Sequence, residues 1–142
     1  MRASQKLIDH IKKSESCLLQ AYQDTVGVWT IGYGHTQGVK KGDKITLFQA
    51  EQLLKEDLRK FEDEANKVKR IGDSQGKFDA VVDFMFNCGV GNFNKSTLKQ
   101  YIESGRKTYE IQQQFLRWVN AGGKFLGGLY TRRIWEANRF NE

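Results

Sequence analysis

Two acidic residues and a threonine near the N-terminus have side chains suited to hydrolysis. Glu15 follows an amphipathic segment, Asp24 lies in a turn marked by Gly27, and Thr30 lies within a short alternating segment. A helix end, a turn and a strand could bring these side chains together. Two separated carboxyl groups beside a hydroxyl can supply an acid, a base and a water-binding group. Taken singly, each acid is more simply a solvated carboxylate, so only their common spacing favours a site.

That spacing resembles the catalytic signature of the phage-type lysozymes, glycoside hydrolase family 24. Eight residues separate Glu15 from Asp24, five separate Asp24 from Thr30, and the run IGYGH follows. Segments 78–91, 118–124 and 128–133 are similar to the core helix and the C-terminal part of the same family. The resemblance therefore extends over nearly the whole chain, with its blocks in the family's order.

The resemblance implies an α+β, mostly helical fold. We expect a lysozyme-like, two-lobed domain, with a small antiparallel sheet in the N-terminal lobe and a helical C-terminal lobe. A chain of 142 residues without proline or linker is most simply one catalytic domain spanning 1–142. The sheet lobe is expected at about 15–60, and the helical lobe at about 70–142 plus the first helix.

Apolar periodicity predicts the order of the elements. A helix at 4–13 is followed by sheet from Leu18 to about residue 39. Thr46 and Gln49 form a capping box that opens a helix of about twenty residues, whose charged side is expected to be solvated. An almost wholly apolar helix, capped by Asp73 or Ser74, ends at 87–89. Shorter helices are predicted at 95–103, 109–120 and 130–140.

The family's activity, carried onto matching positions, gives each acid a role. The enzymes of this family cleave the β-1,4 bond between N-acetylmuramic acid and N-acetylglucosamine in peptidoglycan. The resemblance implies that Glu15 protonates the leaving oxygen, while Asp24 and Thr30 hold and activate a water on the opposite face, which inverts the anomeric centre. At a helix C-terminus the macrodipole disfavours an anion, which suits Glu15 as an acid. Exposure on a turn favours Asp24 as the ionised partner.

Other positions match the family less specifically. Asn87 corresponds to an amide presented to the substrate, and Arg132 or Arg133 is expected to pair with Glu15. His35 lies near the sheet and is expected to be a structural hydrogen-bonding residue more than a catalyst.

Two aromatic residues are candidates for sugar stacking. Strand periodicity through residue 35 would place Trp29, Ile31, Tyr33 and His35 on one face. Trp29 and Tyr33 could stack on a pyranose ring, or could equally be sheet residues that pack on a helix.

Composition limits the partners. A net charge of +6 favours a polyanionic partner, and bacterial peptidoglycan with its associated anionic polymers meets this description. The chain contains no nucleic-acid-binding motif, so we predict no nucleic-acid partner. Two histidines and two cysteines offer no metal-ligand cluster, so no metal and no cofactor are predicted. Cys17 and Cys88 are expected to be free thiols and not a disulfide.

No apolar run is long enough to span a membrane, and no secretory signal begins the chain. We therefore expect a monomeric enzyme with no stable membrane insertion, held in the cytoplasm of an infected bacterium until it is released to the wall. A lytic transglycosylase, a wall-binding or inhibitor module, and a nucleic-acid binder are the alternatives. The presence of Asp24 disfavours the first, and the full catalytic set disfavours the second.

Overall fold

Seven helices and two small antiparallel sheets make up the computed structural model, which describes all 142 residues. In chain order the elements are α1 (Gln5–Ser14), β1 (Leu18–Gln23), β2 (Trp29–Gly32), α2 (Leu47–Ala65), α3 (Gln75–Cys88), α4 (Val90–Asn94), α5 (Thr97–Glu103), α6 (Thr108–Phe115), β3 (Asn120–Ala121), β4 (Lys124–Phe125) and α7 (Gly127–Phe140). The predicted α+β, mostly helical class is confirmed.

The chain divides into two compact units. One is Gln5–Arg59, and the other combines Met1–Ser4 with Lys60–Glu142. We call them the sheet unit and the helical unit. This division places α1 in the sheet unit. None of the helices is long and apolar enough to cross a membrane.

The sheet in the sheet unit is a two-stranded ladder with an irregular register. Tyr22 pairs with Thr30 and Leu18 with Gly32, with a bulge between them. The predicted alternation through residue 35 is wrong beyond Gly32. The chain reverses there, because Gly32 and Gly34 adopt φ of +62° and +86°. Ile31 and His35 then face each other across reciprocal N–H···O bonds of 2.8 and 2.9 Å.

Helix α2 begins as predicted. The Thr46 N–H donates to Gln49 Oε1 at 2.8 Å, and the Gln49 N–H donates to Thr46 Oγ1 at 3.1 Å, which completes the capping box. The prediction that its charged side is simply solvated is wrong in part. Asp57 binds His35, and Glu62 is only 4% exposed.

Helix α3 forms the centre of the helical unit. Ser74 caps it by accepting the Lys77 N–H at 3.2 Å, and it ends at Gly89 as predicted. All residues of segment 78–85 are buried. The Phe84 ring makes edge-to-face contacts with Phe93, Phe115 and Trp118, at centroid distances of 5.3–6.0 Å.

The C-terminal half departs from the prediction at one short segment. The helix predicted over 109–120 ends at Phe115, and residues 120–125 form a hairpin. Gly122 and Gly123, with φ of +58° and +77°, occupy its two turn positions. A two-residue turn with positive φ at both positions matches the twist of paired strands. The two glycines therefore make a hairpin turn, where the sequence indicated a helix end, and α7 starts three residues earlier than predicted.

The first four residues are bound to the helical unit by two buried carboxylates. Glu62 accepts from the Ala3 N–H at 2.7 Å and from Arg2 Nη1 at 3.1 Å. Asp79 accepts from the Ser4 N–H at 3.1 Å, from the Ser4 hydroxyl, and from Arg139 Nη2 at 2.8 Å. Both carboxylates are thereby satisfied despite their burial.

Replacing Gly76 with alanine should lower the free energy of unfolding by about 1–3 kcal/mol, the usual cost of overpacking. An added methyl group would overlap the backbone oxygens of Arg139 and Glu142, and would lie 2.7 Å from the latter. Urea unfolding followed by circular dichroism measures the effect. Gly128→Ala is the control, because nothing lies within 4 Å of the methyl that it would add on α7. Equal stability of the two variants would contradict the close packing at Gly76.

Candidate active site

Glu15 lies directly after α1 in the sheet unit. Its backbone N–H donates to the Ile11 carbonyl at 2.9 Å, so the residue continues the last helical turn. Its side chain is half-buried, whereas Ile11 is completely buried. A carboxyl group is therefore fixed through a rigid backbone at the C-terminal end of a helix, as the sequence predicted.

Asp24 closes a turn with its own carboxylate. Its Oδ1 accepts the backbone N–H groups of Val26 and Val28, both at 2.9 Å, and the Gly27 N–H donates to the Asp24 carbonyl at 3.0 Å. The two N–H donors orient the carboxylate and complement its negative charge. Oδ2 accepts no hydrogen bond from the protein, and the residue is exposed. One oxygen is thus used for structure, and the other is available to a water molecule.

Thr30 is held by the same backbone residue as Asp24. The Val28 carbonyl accepts the Asp24 N–H at 2.9 Å and the Thr30 hydroxyl at 3.0 Å, while the Val28 N–H donates to Asp24 Oδ1. Thr30 is 5% exposed and lies opposite Tyr22 in the ladder. Because its hydroxyl proton is directed to Val28, the Thr30 oxygen can only accept a hydrogen bond from another group. The structure therefore brings Asp24 and Thr30 together through Val28.

His35 bridges two segments of the sheet unit. Its Nδ1 lies 2.9 and 3.0 Å from the two carboxylate oxygens of Asp57 on α2, and its Nε2 lies 2.9 Å from the Gln37 carbonyl. Both ring nitrogens thus have partners within the protein. This supports the structural interpretation of His35. Asp57 itself was missed, because its 22-residue separation from His35 gives no periodic signal.

The two candidate stacking residues differ in exposure. Tyr33 is 7% exposed and its phenol contacts Cys17, which favours the packing alternative for this ring. Burial raises the pKa of Tyr33, and Cys17 and Glu51 raise it further. Trp29, opposite Gln23 in the ladder, is half-buried, so part of its indole remains accessible.

Two arginines of α7 form buried ion pairs with carboxylates in the helical unit. Arg132 Nε and Nη2 donate to both oxygens of Asp83, at 3.1 and 2.9 Å. Arg133 Nε and Nη2 donate to both oxygens of Glu136, at 2.7 and 2.8 Å. The Arg133, Asp83 and Glu136 side chains are completely buried, and that of Arg132 is 6% exposed. We call these four residues the buried ionic cluster.

Arg133 also positions the predicted substrate-binding amide. Its Nη2 donates to Asn87 Oδ1 at 2.8 Å, and its Nη1 donates to Cys88 Sγ at 2.8 Å and to the Trp118 carbonyl at 3.3 Å. Asn87 is half-buried and lines a cavity of about 280 Å³, together with Trp118 and other residues. Its Nδ2 group donates to no protein atom. These contacts give Arg133 a structural role within the helical unit.

Burial alters the titration of two groups around Arg133. The pKa of Glu136 is raised well above its ordinary value, first by burial and then by the hydrogen bond and charge of Asp83, against the opposing influence of Arg133. Burial likewise raises the pKa of Cys88 to about 11, so this thiol is protonated at neutral pH. Both cysteines are free, as predicted.

The buried ionic cluster was not predicted from the sequence. Its one signal is the spacing of Arg133 and Glu136, three residues apart on a helix with an apolar face. No group of three or more His, Cys, Asp or Glu side chains is arranged to hold a metal ion. The sheet unit thus provides three groups for chemistry. They are a carboxyl group at a helix end, a carboxylate with one oxygen that accepts no hydrogen bond from the protein, and a hydroxyl oxygen that can accept a hydrogen bond.

The model of the phage lysozyme family matches residues 12–136 of the chain. The endolysin of Bacillus phage PZA is 40% identical over 144 residues, which cover 99% of this chain and 55% of that protein. The endolysin of Acyrthosiphon pisum secondary endosymbiont phage 1 is 36% identical over 137 residues, which cover 94% of this chain and 93% of that protein. The chain spans about half the length of the two Bacillus phage endolysins that it matches.

Solved structures agree with this match. The muramidase domain of SpmX from Asticaccaulis excentricus has a TM-score of 0.90 with this chain at 32% identity, covering 99% of this chain and 98% of that one. The chain belongs to the phage lysozyme family. The resemblance found in the sequence is thereby confirmed.

Proposed function

We propose that this protein is a muramidase that hydrolyses the β-1,4 bond between N-acetylmuramic acid and N-acetylglucosamine in bacterial peptidoglycan. The observation that carries the proposal is the shared anchoring of Asp24 and Thr30 on the backbone of Val28. It gives two water-binding oxygens a fixed relation to each other, as hydrolysis at a sugar carbon needs. Family membership supports the same reaction class.

In this mechanism Glu15 is the general acid and protonates the leaving glycosidic oxygen. The attacking water donates one hydrogen to Asp24 Oδ2 and the other to Thr30 Oγ1, because both atoms are free to accept. Its lone pair is then directed at the anomeric carbon. Asp24 takes up the proton as the general base. No covalent sugar–enzyme bond is formed, so the anomeric configuration inverts. In an inverting enzyme the carboxyl groups of Glu15 and Asp24 should lie about 6.5–9.5 Å apart.

The first-formed product distinguishes this route from its alternatives. Proton NMR recorded during the early turnover of wall fragments should show the α-anomer of the new reducing end before mutarotation. An early β-anomer would indicate retention, and a 1,6-anhydro sugar would indicate a lytic transglycosylase. Either would overturn the roles given to Asp24 and Thr30.

Replacing Asp24 with asparagine should lower lysis by about 10²–10⁴-fold, the usual contribution of a general base. The Asn oxygen can still accept the Val26 and Val28 N–H groups, so the turn should persist and the melting temperature should change little. Turbidity clearing of bacterial walls gives the rate. Asp43→Asn is the matched control, since this residue also accepts a backbone N–H, from Lys40 at 2.8 Å, and should keep its activity. Substantial clearing by the Asp24 variant would exclude it as the base.

Several further roles belong to the proposal. Trp29 stacks on a sugar ring with its accessible indole face, and Asn87 donates from Nδ2 to the substrate. The pairing of Arg132 or Arg133 with Glu15 stays a prediction; Arg133 uses its guanidinium on Glu136, Cys88, Asn87 and Trp118. His35 supports the turn after β2 through Asp57.

The biological role follows from the substrate. We propose that the protein acts as a monomer on the wall of a phage-infected bacterium, reaches the wall from the cytoplasm, and causes lysis. The names of the related phage proteins, endolysins, support this role. Sedimentation with purified walls, followed by release of reducing sugars, tests the partner.

A further inference from the structure

A cavity of about 470 Å³ in the helical unit is lined by both apolar and basic residues. Ile102, Ile111 and Phe140, each less than 5% exposed, are its apolar lining residues. Three basic residues and one acidic residue also line it: Arg70, Lys77, Arg106 and Asp73. None of these residues has a part in the proposed hydrolysis. The cavity is therefore a second feature that needs its own explanation.

Arg70, which lines this cavity, has a left-handed backbone conformation. It is the one residue other than glycine with a positive φ, at 70°. Left-handed backbone at such a residue costs about 1 kcal/mol or more, and this strain is concentrated at functional sites. Nε donates to the Glu103 carbonyl at 3.0 Å, and the guanidinium lies so close to Gly105 that an added methyl would be 3.0 Å from Nη1. The terminal nitrogens donate to no protein atom.

The other two cations leave charge available in the same cavity. Lys77 forms no ion pair, and its Nζ lies 5.8 Å from the centroid of the Phe140 ring. Arg106 is fixed by Glu110, at 3.0 Å from Nη1, and by stacking at 4.3 Å on the Tyr101 ring, which leaves other N–H groups unused. Asp73 is the single acidic lining residue, so the lining is net positive. Two planar guanidinium groups and an ammonium suit an oxyanion that carries several acceptor oxygens.

We propose that this cavity binds the phosphate group of an anionic cell-wall polymer. Such a site would hold the protein on the wall independently of bond cleavage. The site extends the proposed function, but its occupancy by phosphate does not depend on that function. A phosphodiester fits better than a carboxylate, because its two charged oxygens and two ester oxygens point in four tetrahedral directions and can meet separate cationic groups, whereas the two oxygens of a carboxylate lie in one plane.

The test is a titration of the isotopically labelled 142-residue chain with inorganic phosphate, monitored through the amide signals of Gly72 and Gly105, both of which line the cavity. Phosphate should shift these signals, and sodium acetate at equal ionic strength should not. The double variant Arg70→Gln/Lys77→Gln should bind about tenfold more weakly, since charge-assisted hydrogen bonds are lost. The control Arg59→Gln/Lys99→Gln makes the same change in net charge outside the cavity and should bind as the parent does.

A second variant separates binding from folding. Arg70→Gly removes the guanidinium and also relieves the positive φ, so it should be at least as stable as the parent while it loses phosphate affinity. An oligomer of glycerol phosphate should bind more tightly than inorganic phosphate, because its successive phosphates can reach the separate basic residues that line the cavity. Unshifted Gly72 and Gly105 signals, or unchanged affinity in Arg70→Gly, would overturn the site. An oligomer no tighter than phosphate would overturn the polymer as its ligand. Loss of hydrolysis in a Glu15 variant would leave all of these results unchanged.

Discussion

Replacing Glu15 with glutamine is expected to abolish wall lysis while the protein stays folded. Glutamine has the shape of a glutamic acid side chain but no proton to give to the leaving oxygen, so the rate should fall by at least about 10²–10⁴-fold. The bond from the Glu15 N–H to the Ile11 carbonyl involves only the backbone and is retained. Turbidity clearing of purified walls measures the loss, and thermal unfolding verifies the fold.

The matched control is Glu56→Gln, which removes one exposed carboxylate from α2 and should leave the rate unchanged. Because both variants change the net charge equally, wall attraction cannot account for a difference between them. If Glu15→Gln clears walls at more than a few per cent of the parent rate, another group supplies the proton and the role of Glu15 is wrong.

Replacing Arg133 with methionine is expected to cause the largest loss of stability of any single substitution proposed for this chain. The change leaves Glu136 completely buried without its bidentate partner, and also removes donors from Asn87 and Cys88. Removal of one member of a buried ion pair typically costs about 3–5 kcal/mol. At this chain length that corresponds to a fall of roughly 10 °C or more in melting temperature.

The loss should depend on pH in a direction set by Glu136. A carboxyl whose pKa is raised in the folded state contributes most below its unfolded pKa, and that contribution declines as the pH rises toward the folded value. The charge and hydrogen bonds of Arg133 lower the pKa of Glu136, so this pKa rises further when Arg133 is removed. The buried carboxyl then stays neutral in the folded variant while it ionises in the unfolded chain, and the variant loses stability as the pH rises. The difference in unfolding free energy between parent and Arg133→Met, measured by urea unfolding at a series of pH values, should therefore increase as the pH rises through the folded pKa of Glu136 in the parent.

The double variant Arg133→Met/Glu136→Leu completes a thermodynamic cycle. It removes both charges, and should recover part of the stability and most of the pH dependence lost by the single variant. If the double variant is as unstable as the sum of the two single variants, the ion pair makes no coupled contribution. The cluster would then stabilise the fold through packing alone.

Local signals predicted much of the fold and part of the site. Thr46 and Gln49 fix the start of α2, because a capping box is closed by residues three apart. The end of the helix predicted over 109–120 was wrong, because glycine both ends helices and forms hairpin turns, and Gly122 and Gly123 form a turn. The contact of His35 with Asp57 and the burial of Glu136 depend on tertiary packing. Neither residue type nor spacing along the chain predicts them. Arg133 matched a family position, yet its donors are used inside the protein.

Val28 connects Asp24 to Thr30 without using its side chain, which is 42% exposed. The N–H and C=O groups that it contributes are common to every amino acid except proline, which lacks the N–H. A comparison of residue types would therefore rank position 28 as unimportant and freely variable. A transplant of this turn into another scaffold must reproduce the main-chain path from residue 24 to residue 30. Position 28 itself can hold almost any residue type other than proline.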